Sequence, residues 1–165
     1  MLLGEILHRG VITTDLKATD SFAAIDELLD KIVEARDIAP ELSGVVRDAV
    51  CARERSMATG MEDGVALPHG STDRIRNVVG ALGISKQGIE FGSLDGLPAR
   101  LIILLVLPRD EFQVHVRTLA GVSHLLNEQR FRESLLHADD EDEVLRLVRL
   151  EERGSPFDNF RRRFR

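Results

Sequence analysis

The sequence predicts a single α/β domain, a sandwich in which helices flank a mixed central sheet of parallel and antiparallel strands. Between Phe22 and Val33, apolar residues recur at i, i+3 and i+4 spacing, which indicates an amphipathic helix packed on a flat surface. Residues 101–107 are continuously apolar, as in a central strand that is covered on both faces. Asp95-Gly96 lies between two apolar runs and indicates a hairpin, hence an antiparallel pair. Helical and strand-like segments alternate along the chain, which is typical of α/β proteins.

The N-terminal half is predicted to contain a short strand and two helices. Residues 11–14 are β-prone and follow a glycine. Thr19, Asp20 and Ser21 offer an N-cap for the first helix. A second helix is predicted over residues 42–55, because its valines and alanines recur with helical spacing.

The C-terminal half is predicted to contain a further strand at residues 78–84, before the hairpin and the central strand. Helical spacing then runs through residues 112–126, and a short apolar segment follows. The last helix has Asp139 or Asp140 at its cap.

Length and charge divide the chain into one domain, residues 1–152, and a basic tail rich in Phe and Arg, residues 153–165. A chain of 165 residues suits one domain. Five arginines and one aspartate give the tail a charge of +4, which leaves −10 for the domain in a chain of net charge −6. An acidic body without Trp or Tyr argues against nucleic-acid binding. The tail is either a solvated end or a segment whose phenylalanines, Phe157, Phe160 and Phe164, dock on a neighbouring subunit or an acidic partner.

Cysteine content and apolar runs bear on the compartment. Cys51 is the sole cysteine and cannot form an internal disulfide, which suits a reducing compartment. It lies among apolar positions of a predicted helix and is interpreted as a buried small apolar residue. The apolar run at the N-terminus is too short for a signal peptide, and residues 101–107 are far too few to span a bilayer. We expect a cytoplasmic protein that is not embedded in a membrane.

The sequence contains no motif typical of metal or cofactor binding. The five histidines do not form the closely spaced pairs typical of zinc sites, and there is no cysteine cluster. The chain has neither a glycine-rich P-loop with its lysine nor a Gly-x-Ser-x-Gly elbow. We therefore expect no metal, no cofactor, no nucleotide binding and no serine hydrolase chemistry.

Residues 64–70, Gly-Val-Ala-Leu-Pro-His-Gly, place one histidine between a proline and a glycine after a β-prone run. The proline fixes its own φ and pushes Leu67 towards an extended conformation. Gly70 lacks a Cβ, so the backbone there can turn sharply and let a ligand approach closely. By itself the segment favours an ordinary turn that exposes His69, because proline and glycine also punctuate such turns.

Residues elsewhere in the chain favour a phosphoryl site at His69. A histidine that is neutral near pH 7 can act as a nucleophile and hold a phosphoryl group. The phosphoryl oxygens then need arginine forks, N–H donors or a second imidazole. Arg53 lies upstream of His69, and His115 follows the strand at residues 101–107. Ligand sites of open α/β sheets gather at such carboxyl ends of strands.

Three motifs carry a family resemblance: Arg53-Glu54, Thr59-Gly60 and Pro68-His69-Gly70. In this order and spacing they resemble the enzyme IIA (EIIA) component of the phosphoenolpyruvate-dependent phosphotransferase system (PTS), of the fructose/mannitol and nitrogen-regulatory type, the type-2 EIIA domain. The resemblance runs from about residue 3 to residue 150. Further matches are Leu94-Asp95-Gly96-Leu97-Pro98, the strand that ends in Pro108, and His115 at the start of a helix rich in Leu and Ala.

The resemblance implies roles for individual residues. His69 corresponds to the phosphorylated histidine, His115 to the second histidine that hydrogen-bonds and orients the phosphoryl group, and Arg53 to the arginine that stabilises it. Thr59 and the peptide N–H groups around Gly70 are further candidates for phosphate contacts. The resemblance also implies transfer from the phosphohistidine of HPr to His69, without a metal. The phosphoryl group then passes to a downstream IIB component, on a cysteine in sugar-transporting systems.

Other hypotheses remain open at this level. A nitrogen-regulatory type of IIA protein would use the phosphorylation state of His69 to control binding to regulatory partners rather than sugar uptake. An inert α/β domain would require the three motifs to be accidental. Residues 71–76 do not clearly match the family's segment after the phosphorylated histidine, and the tail at residues 153–165 lies outside the family pattern.

Overall fold

The computed structural model describes residues 1–155, which contain a mixed sheet of five strands. The strands are β1 (Ile12–Thr13), β2 (Val65–Ala66), β3 (His69–Thr72), β4 (Val79–Ile89) and β5 (Ala99–Pro108). Their spatial order is β1-β4-β5, and β2 and β3 both pair with β5. The β4–β5 pair is antiparallel and the other pairs are parallel. The predicted α/β sandwich with a mixed sheet is therefore confirmed.

Helices cover both faces of this sheet. They are α1 (Leu3–Ile6), α2 (Ser21–Glu34), α3 (Ser43–Ser56), α4 (Phe112–Asn127), α5 (Gln129–Leu136) and α6 (Glu141–Gly154). Helices α2 and α3 pack on each other, and α1 packs with α4 and α6. Gly80 and Gly83 of β4 point to opposite faces, because their separation is odd. A Cβ at Gly80 would meet Ile6, whereas one at Gly83 would meet Leu28, so α1 and α2 lie on opposite faces.

The central strand of the core is β5. Every residue from 101 to 107 is at most 1% exposed, and within β5 only Arg100 reaches solvent. This confirms the prediction that the continuous apolar run is covered on both faces. The buried strand ends at Pro108, where the chain turns into α4, and this junction becomes one side of the candidate site.

Two helices begin at the aspartates that the sequence offered as caps. Asp20 Oδ1 accepts a hydrogen bond from the N–H of Ala23 at 2.9 Å at the start of α2. Asp140, one of the two predicted alternatives, accepts from the N–H of Glu143 at 2.8 Å at the start of α6. Each carboxylate satisfies an amide that has no partner within its own helix.

The predicted hairpin joins β4 to β5 through residues 90–98. Its turn lies where it was predicted: the N–H of Gly96 donates to the carbonyl oxygen of Ser93 at 3.1 Å, and Gly96 has a φ of 72°. The strand before the turn is longer than predicted. It runs to Ile89, because residues beyond Ile84 still pair with β5 after an irregularity in the register.

The sequence does not predict α1, because four residues are too few to show a helical period. The helix is held by tertiary contacts instead. The N–H of Gly4 donates to both carboxylate oxygens of Glu152, at 3.0 and 3.2 Å, and Glu152 is buried in α6. Burial raises the pKa of the Glu152 carboxyl, and the amide donors partly oppose that shift.

The C-terminal part of the domain ends in α6. This helix includes Arg153 and Gly154, so the predicted boundary at residue 152 falls in its last turn. The remainder of the predicted tail, with Phe157, Phe160 and Phe164, lies outside the described residues. Within residues 1–155, no helix is both long enough and apolar enough to cross a membrane.

Candidate active site

His69 is the first residue of β3, where the chain joins the edge of β5 directly after Pro68. Its ring is partly buried. Nδ1 lies 2.9 Å from the carbonyl oxygen of Leu67. A carbonyl oxygen can only accept, so Nδ1 carries the proton. Nε2 therefore keeps its lone pair and is the ring nitrogen that can attack an electrophile.

Neighbouring groups set the protonation state of this ring. Burial is the largest influence and lowers the pKa of His69 from its ordinary value of 6.5. The Leu67 carbonyl opposes this shift by accepting from the ring. The charges of Arg53 and His115 also lower the pKa, and the charge of Glu54 raises it. All three side chains are thus within electrostatic reach of His69, and at pH 7 the ring is neutral.

Arg53 lies in the last turn of α3, the helix that packs against β3. Its Nη1–H donates to the carbonyl oxygen of Met57 at 2.8 Å, which ties the guanidinium to the end of the helix. The other N–H groups of Arg53 have no hydrogen-bond partner among the described residues. They remain available to bind an anion. Arg55 differs, because its guanidinium lies over the ring of Phe22, 5.3 Å from the centroid.

His115 reaches the same region from α4. It lies in the first turn of that helix, as predicted, and its Nε2–H donates to the carbonyl oxygen of Pro108 at the end of β5. This bond leaves Nδ1 as the ring nitrogen without a described partner. The junction of β5 and α4 thus places a second imidazole within electrostatic reach of His69.

Thr59, a further candidate for a phosphate contact, is buried and bonds to another residue. Its hydroxyl donates to Glu54 Oε2 at 2.6 Å, and its N–H donates to Glu54 Oε1 at 3.1 Å. Glu54 belongs to the Arg-Glu motif, which by itself predicts no role for this residue in the site. Its burial, with only 7% of its surface exposed, could not be inferred from a helix end rich in charged residues.

Two other histidines bond to residues outside this group. His8 Nε2 lies 2.7 Å from Asp37, and His137 Nδ1–H donates to the carbonyl oxygen of Glu133. In the part of the chain that the structure describes, no group of three or more His, Cys, Asp or Glu side chains is placed to hold a metal ion.

Gly70 has a structural role that the sequence did not predict. The space left by its missing Cβ is filled by a helix. A Cβ there would lie 2.8 Å from the backbone nitrogen of Val50 and 2.9 Å from its Cα. Helix α3 therefore lies so close to β3 that only glycine fits at position 70 without a clash. The glycine beside His69 therefore allows the helix that carries Arg53 to lie directly on the strand that carries His69.

We expect Gly70→Ala to destabilise the protein by about 1–3 kcal/mol, because the backbone of α3 cannot move aside without repacking. Gly121→Ala is the matched control, since nothing lies within 4 Å of a Cβ at that helical position. The control should stabilise the protein by about 0.5–1 kcal/mol. Urea unfolding of both variants measures the difference. An equal free energy of unfolding for the two variants would contradict the close approach of α3 and β3.

The lowered pKa of His69 predicts the pH dependence of its reactivity. The neutral ring is the nucleophile, so its reactivity should persist below pH 6.5 and fall only as pH drops through the lowered pKa. The effect of His69 on folding stability depends on pH in the same direction as its reactivity. The unfolded chain binds the proton more readily than the folded one, so the contribution of His69 to folding is present above its unfolded pKa and is lost as pH falls. NMR titration of the His69 ring checks this, and an inflection at or above 6.5 would contradict it.

Comparison with known proteins assigns the chain to a family. Residues 5–150 match the family model described as phosphoenolpyruvate-dependent sugar phosphotransferase system, EIIA 2. A curated relative, the PTS system fructose-specific EIIABC component of Bacillus subtilis, is 28% identical over 148 residues. The match covers 90% of this chain but only 23% of that protein, so the chain corresponds to about a quarter of its length.

Two solved structures share the fold. The nitrogen regulatory protein IIA-Ntr of Neisseria meningitidis has a TM-score of 0.80 and 25% identity, and the match covers 88% of this chain and 98% of that one. The Escherichia coli mannitol enzyme IIA, solved as a complex with phosphorylated IIB, has a TM-score of 0.72 and 25% identity, over 86% of this chain and 96% of that one. The relatives thus include both sugar-specific and nitrogen-regulatory proteins. The match to the family model over residues 5–150, together with the shared fold, shows that the chain belongs to the PTS EIIA type-2 family of phosphoryl-transfer proteins.

Proposed function

We propose that this protein is a phosphocarrier that accepts a phosphoryl group on Nε2 of His69 from an HPr-type donor and passes it to a IIB component. The observation that carries the proposal is the state of the His69 ring. Its Nδ1–H is fixed on the Leu67 carbonyl, which leaves Nε2 as a neutral nucleophile. Arg53 offers free N–H donors for the oxygens of the incoming group.

The transfer is balanced without a metal. The lone pair of His69 Nε2 attacks phosphorus, the P–N bond of the donor phosphohistidine breaks, and its electron pair returns to the donor ring. In the second step the P–N bond to His69 breaks, and a cysteine thiolate of the acceptor forms a P–S bond. A proton on Nδ1 of His115 would let this ring donate to a phosphoryl oxygen while its Nε2–H stays on Pro108. Positioning and charge stabilisation are the contributions that such a reaction requires of the protein.

Exposed apolar side chains next to these residues in the sequence support a protein as the partner. Phe112 and Val116 flank His115 on α4 and are 75% and 50% exposed, and Met57, whose carbonyl holds Arg53, is 68% exposed. Large apolar side chains at the surface are typical of protein–protein contact sites. A small-molecule substrate would instead favour an enclosed pocket.

Incubation with phosphoenolpyruvate, enzyme I and HPr tests the proposal. The expected result is an acid-labile mass gain of one phosphoryl group that requires all three additions. Adding a IIB protein should then remove the group from this protein and label the IIB cysteine. A chain that stays unlabelled with active HPr would overturn the proposal.

A nitrogen-regulatory role is the second candidate. It is supported by the higher TM-score of the IIA-Ntr structure, 0.80, against 0.72 for the mannitol enzyme IIA. Phosphorylation would then add about −1.5 to −2 charges at His69 and alter a protein interface. Retention of the phosphoryl group in the presence of IIB proteins would favour this role over sugar transport.

A further inference from the structure

Glu54 is a buried carboxylate next to Arg53, and the phosphoryl-transfer roles proposed above do not use it. It is 7% exposed. Its two oxygens accept from two donors of one residue, the hydroxyl of Thr59 at 2.6 Å and the N–H of Thr59 at 3.1 Å. Among the described residues, no cation forms an ion pair with it. A buried charge without a counter-ion is costly, and its hydrogen bonds must compensate for lost hydration.

The contacts of Thr59 continue to the reactive histidine. The carbonyl oxygen of Thr59 accepts from the N–H of Leu67 at 3.2 Å. The carbonyl oxygen of Leu67 in turn accepts from Nδ1–H of His69 at 2.9 Å. A continuous series of hydrogen bonds therefore joins Glu54 to the ring atom that decides which nitrogen of His69 is the nucleophile.

The same turn holds the arginine. Residues 57–59 follow α3, and Met57 provides the carbonyl oxygen that accepts from Nη1–H of Arg53 at 2.8 Å. Because Thr59 is bonded through both its backbone and its side chain, Glu54 fixes the turn from which Arg53 is held. The position of one buried carboxylate thus affects both the nucleophile and the anion-binding side chain.

We propose that Glu54 is a positioning residue for phosphoryl transfer: through Thr59 and Leu67 it holds His69 with the proton on Nδ1, and through the turn at Met57 it holds Arg53. Thr59 then serves the site as a structural link and makes no direct phosphate contact. This inference rests on the proposed function for its catalytic consequence. Its structural part, the state of the His69 ring, is independent of any partner protein.

NMR of the unphosphorylated full-length protein, labelled with ¹⁵N at histidine, tests the structural part. The wild type should show a single His69 tautomer with the proton on Nδ1. Glu54→Gln keeps the shape and can still bond to Thr59, so the tautomer should persist. The pKa of His69 should fall, because the carboxylate charge that opposes Arg53 and His115 is gone. Glu62→Gln, an exposed acid in the following loop, is the control and should change neither quantity.

Thr59→Val removes the hydroxyl and keeps the N–H. One oxygen of the buried Glu54 loses its donor while the bond from the Thr59 N–H remains, so the phosphorylation rate should fall, but less than in Glu54→Ala, and the His69 tautomer should persist. Glu54→Ala leaves both Thr59 donors unpaired, so we expect mixed His69 tautomers and a phosphorylation rate reduced on the order of 10²-fold, mainly in kcat. If the alanine variant does not fold, the pKa of His69 in the Glu54→Gln variant decides whether Glu54 acts on His69.

Two results would overturn the role of Glu54. One is an unchanged His69 pKa in the folded Glu54→Gln variant. The other is a folded Glu54→Ala variant that keeps one tautomer and phosphorylates at the wild-type rate. A rate loss in Thr59→Val as large as that expected for Glu54→Ala, with an unchanged tautomer, would instead assign the threonine to the phosphoryl group and would also contradict the inference. Failure of the wild type to accept a phosphoryl group would overturn the proposed function and leave the NMR result to decide on Glu54.

Discussion

Replacing His69 with alanine is expected to abolish phosphorylation. The phosphoryl group has to be carried on a nucleophilic atom, and Nε2 of His69 is the one that the fold holds neutral with its lone pair free. Without that atom there is no covalent intermediate, so no amount of positioning by Arg53 or His115 restores the reaction. Mass spectrometry after incubation with phosphoenolpyruvate, enzyme I and HPr is the measurement. The His69→Ala chain should show no mass gain.

His137→Ala is the matched control for this experiment. Its exposed ring bonds only to a backbone carbonyl of its own helix among the described residues, so its loss should leave labelling unchanged. A His69→Ala protein that gains an acid-labile phosphoryl group at the wild-type rate would contradict the assignment. Circular dichroism of both variants verifies that each chain is folded.

The second large effect is expected from Arg53. Its free N–H groups can form a fork on the phosphoryl oxygens while Nη1–H stays on Met57. Loss of one such stabilising donor costs about 10²–10³-fold in rate, or roughly 2.7–4 kcal/mol. In the Arg53→Ala variant, His69 should therefore be phosphorylated about 10²–10³-fold more slowly. Arg53→Lys should rescue little, because an ammonium cannot bind the Met57 carbonyl and two phosphoryl oxygens in one plane.

Arg55→Ala serves as the control for Arg53→Ala, since Arg55 lies over Phe22 and is exposed. His115→Ala should also slow labelling, because it removes the second imidazole near His69. Rapid-quench measurement of labelling rates against HPr concentration separates a loss of kcat from a change in KM. A rate for Arg53→Ala equal to that of Arg55→Ala would remove the arginine from the site.

Local chemistry made the main elements predictable. The apolar run of residues 101–107 can only be a strand covered on both faces or a short buried helix, and the glycines and prolines around it favour the strand. Asp20 and Asp140 indicate where two helices begin, because their carboxylates accept hydrogen bonds from amides in the first turn that have no partner within the helix. Arg53, His69 and His115 could be recognised as candidate site residues because the motifs around them resemble those of the EIIA family in order and spacing.

Contacts between distant segments could not be predicted in the same way. β3 has the sequence His-Gly-Ser-Thr, without apolar alternation, and it is a strand because β5 offers it a free edge. Gly70 suggested room for a ligand, whereas its space is filled by α3. Glu54 follows Arg53 in a charged stretch that resembles a solvated helix end. It is buried because the chain folds back after α3 and Thr59 bonds to its carboxylate.

The site of phosphorylation within the histidine ring tests the central claim most directly. The protein is labelled with ¹⁵N at histidine, phosphorylated through HPr, and studied by NMR for coupling between ³¹P and the ring nitrogens. The hydrogen bond from Nδ1–H of His69 to Leu67 requires the phosphoryl group to be on Nε2 of that residue. A phosphoryl group on Nδ1, or on any other histidine, would contradict the account.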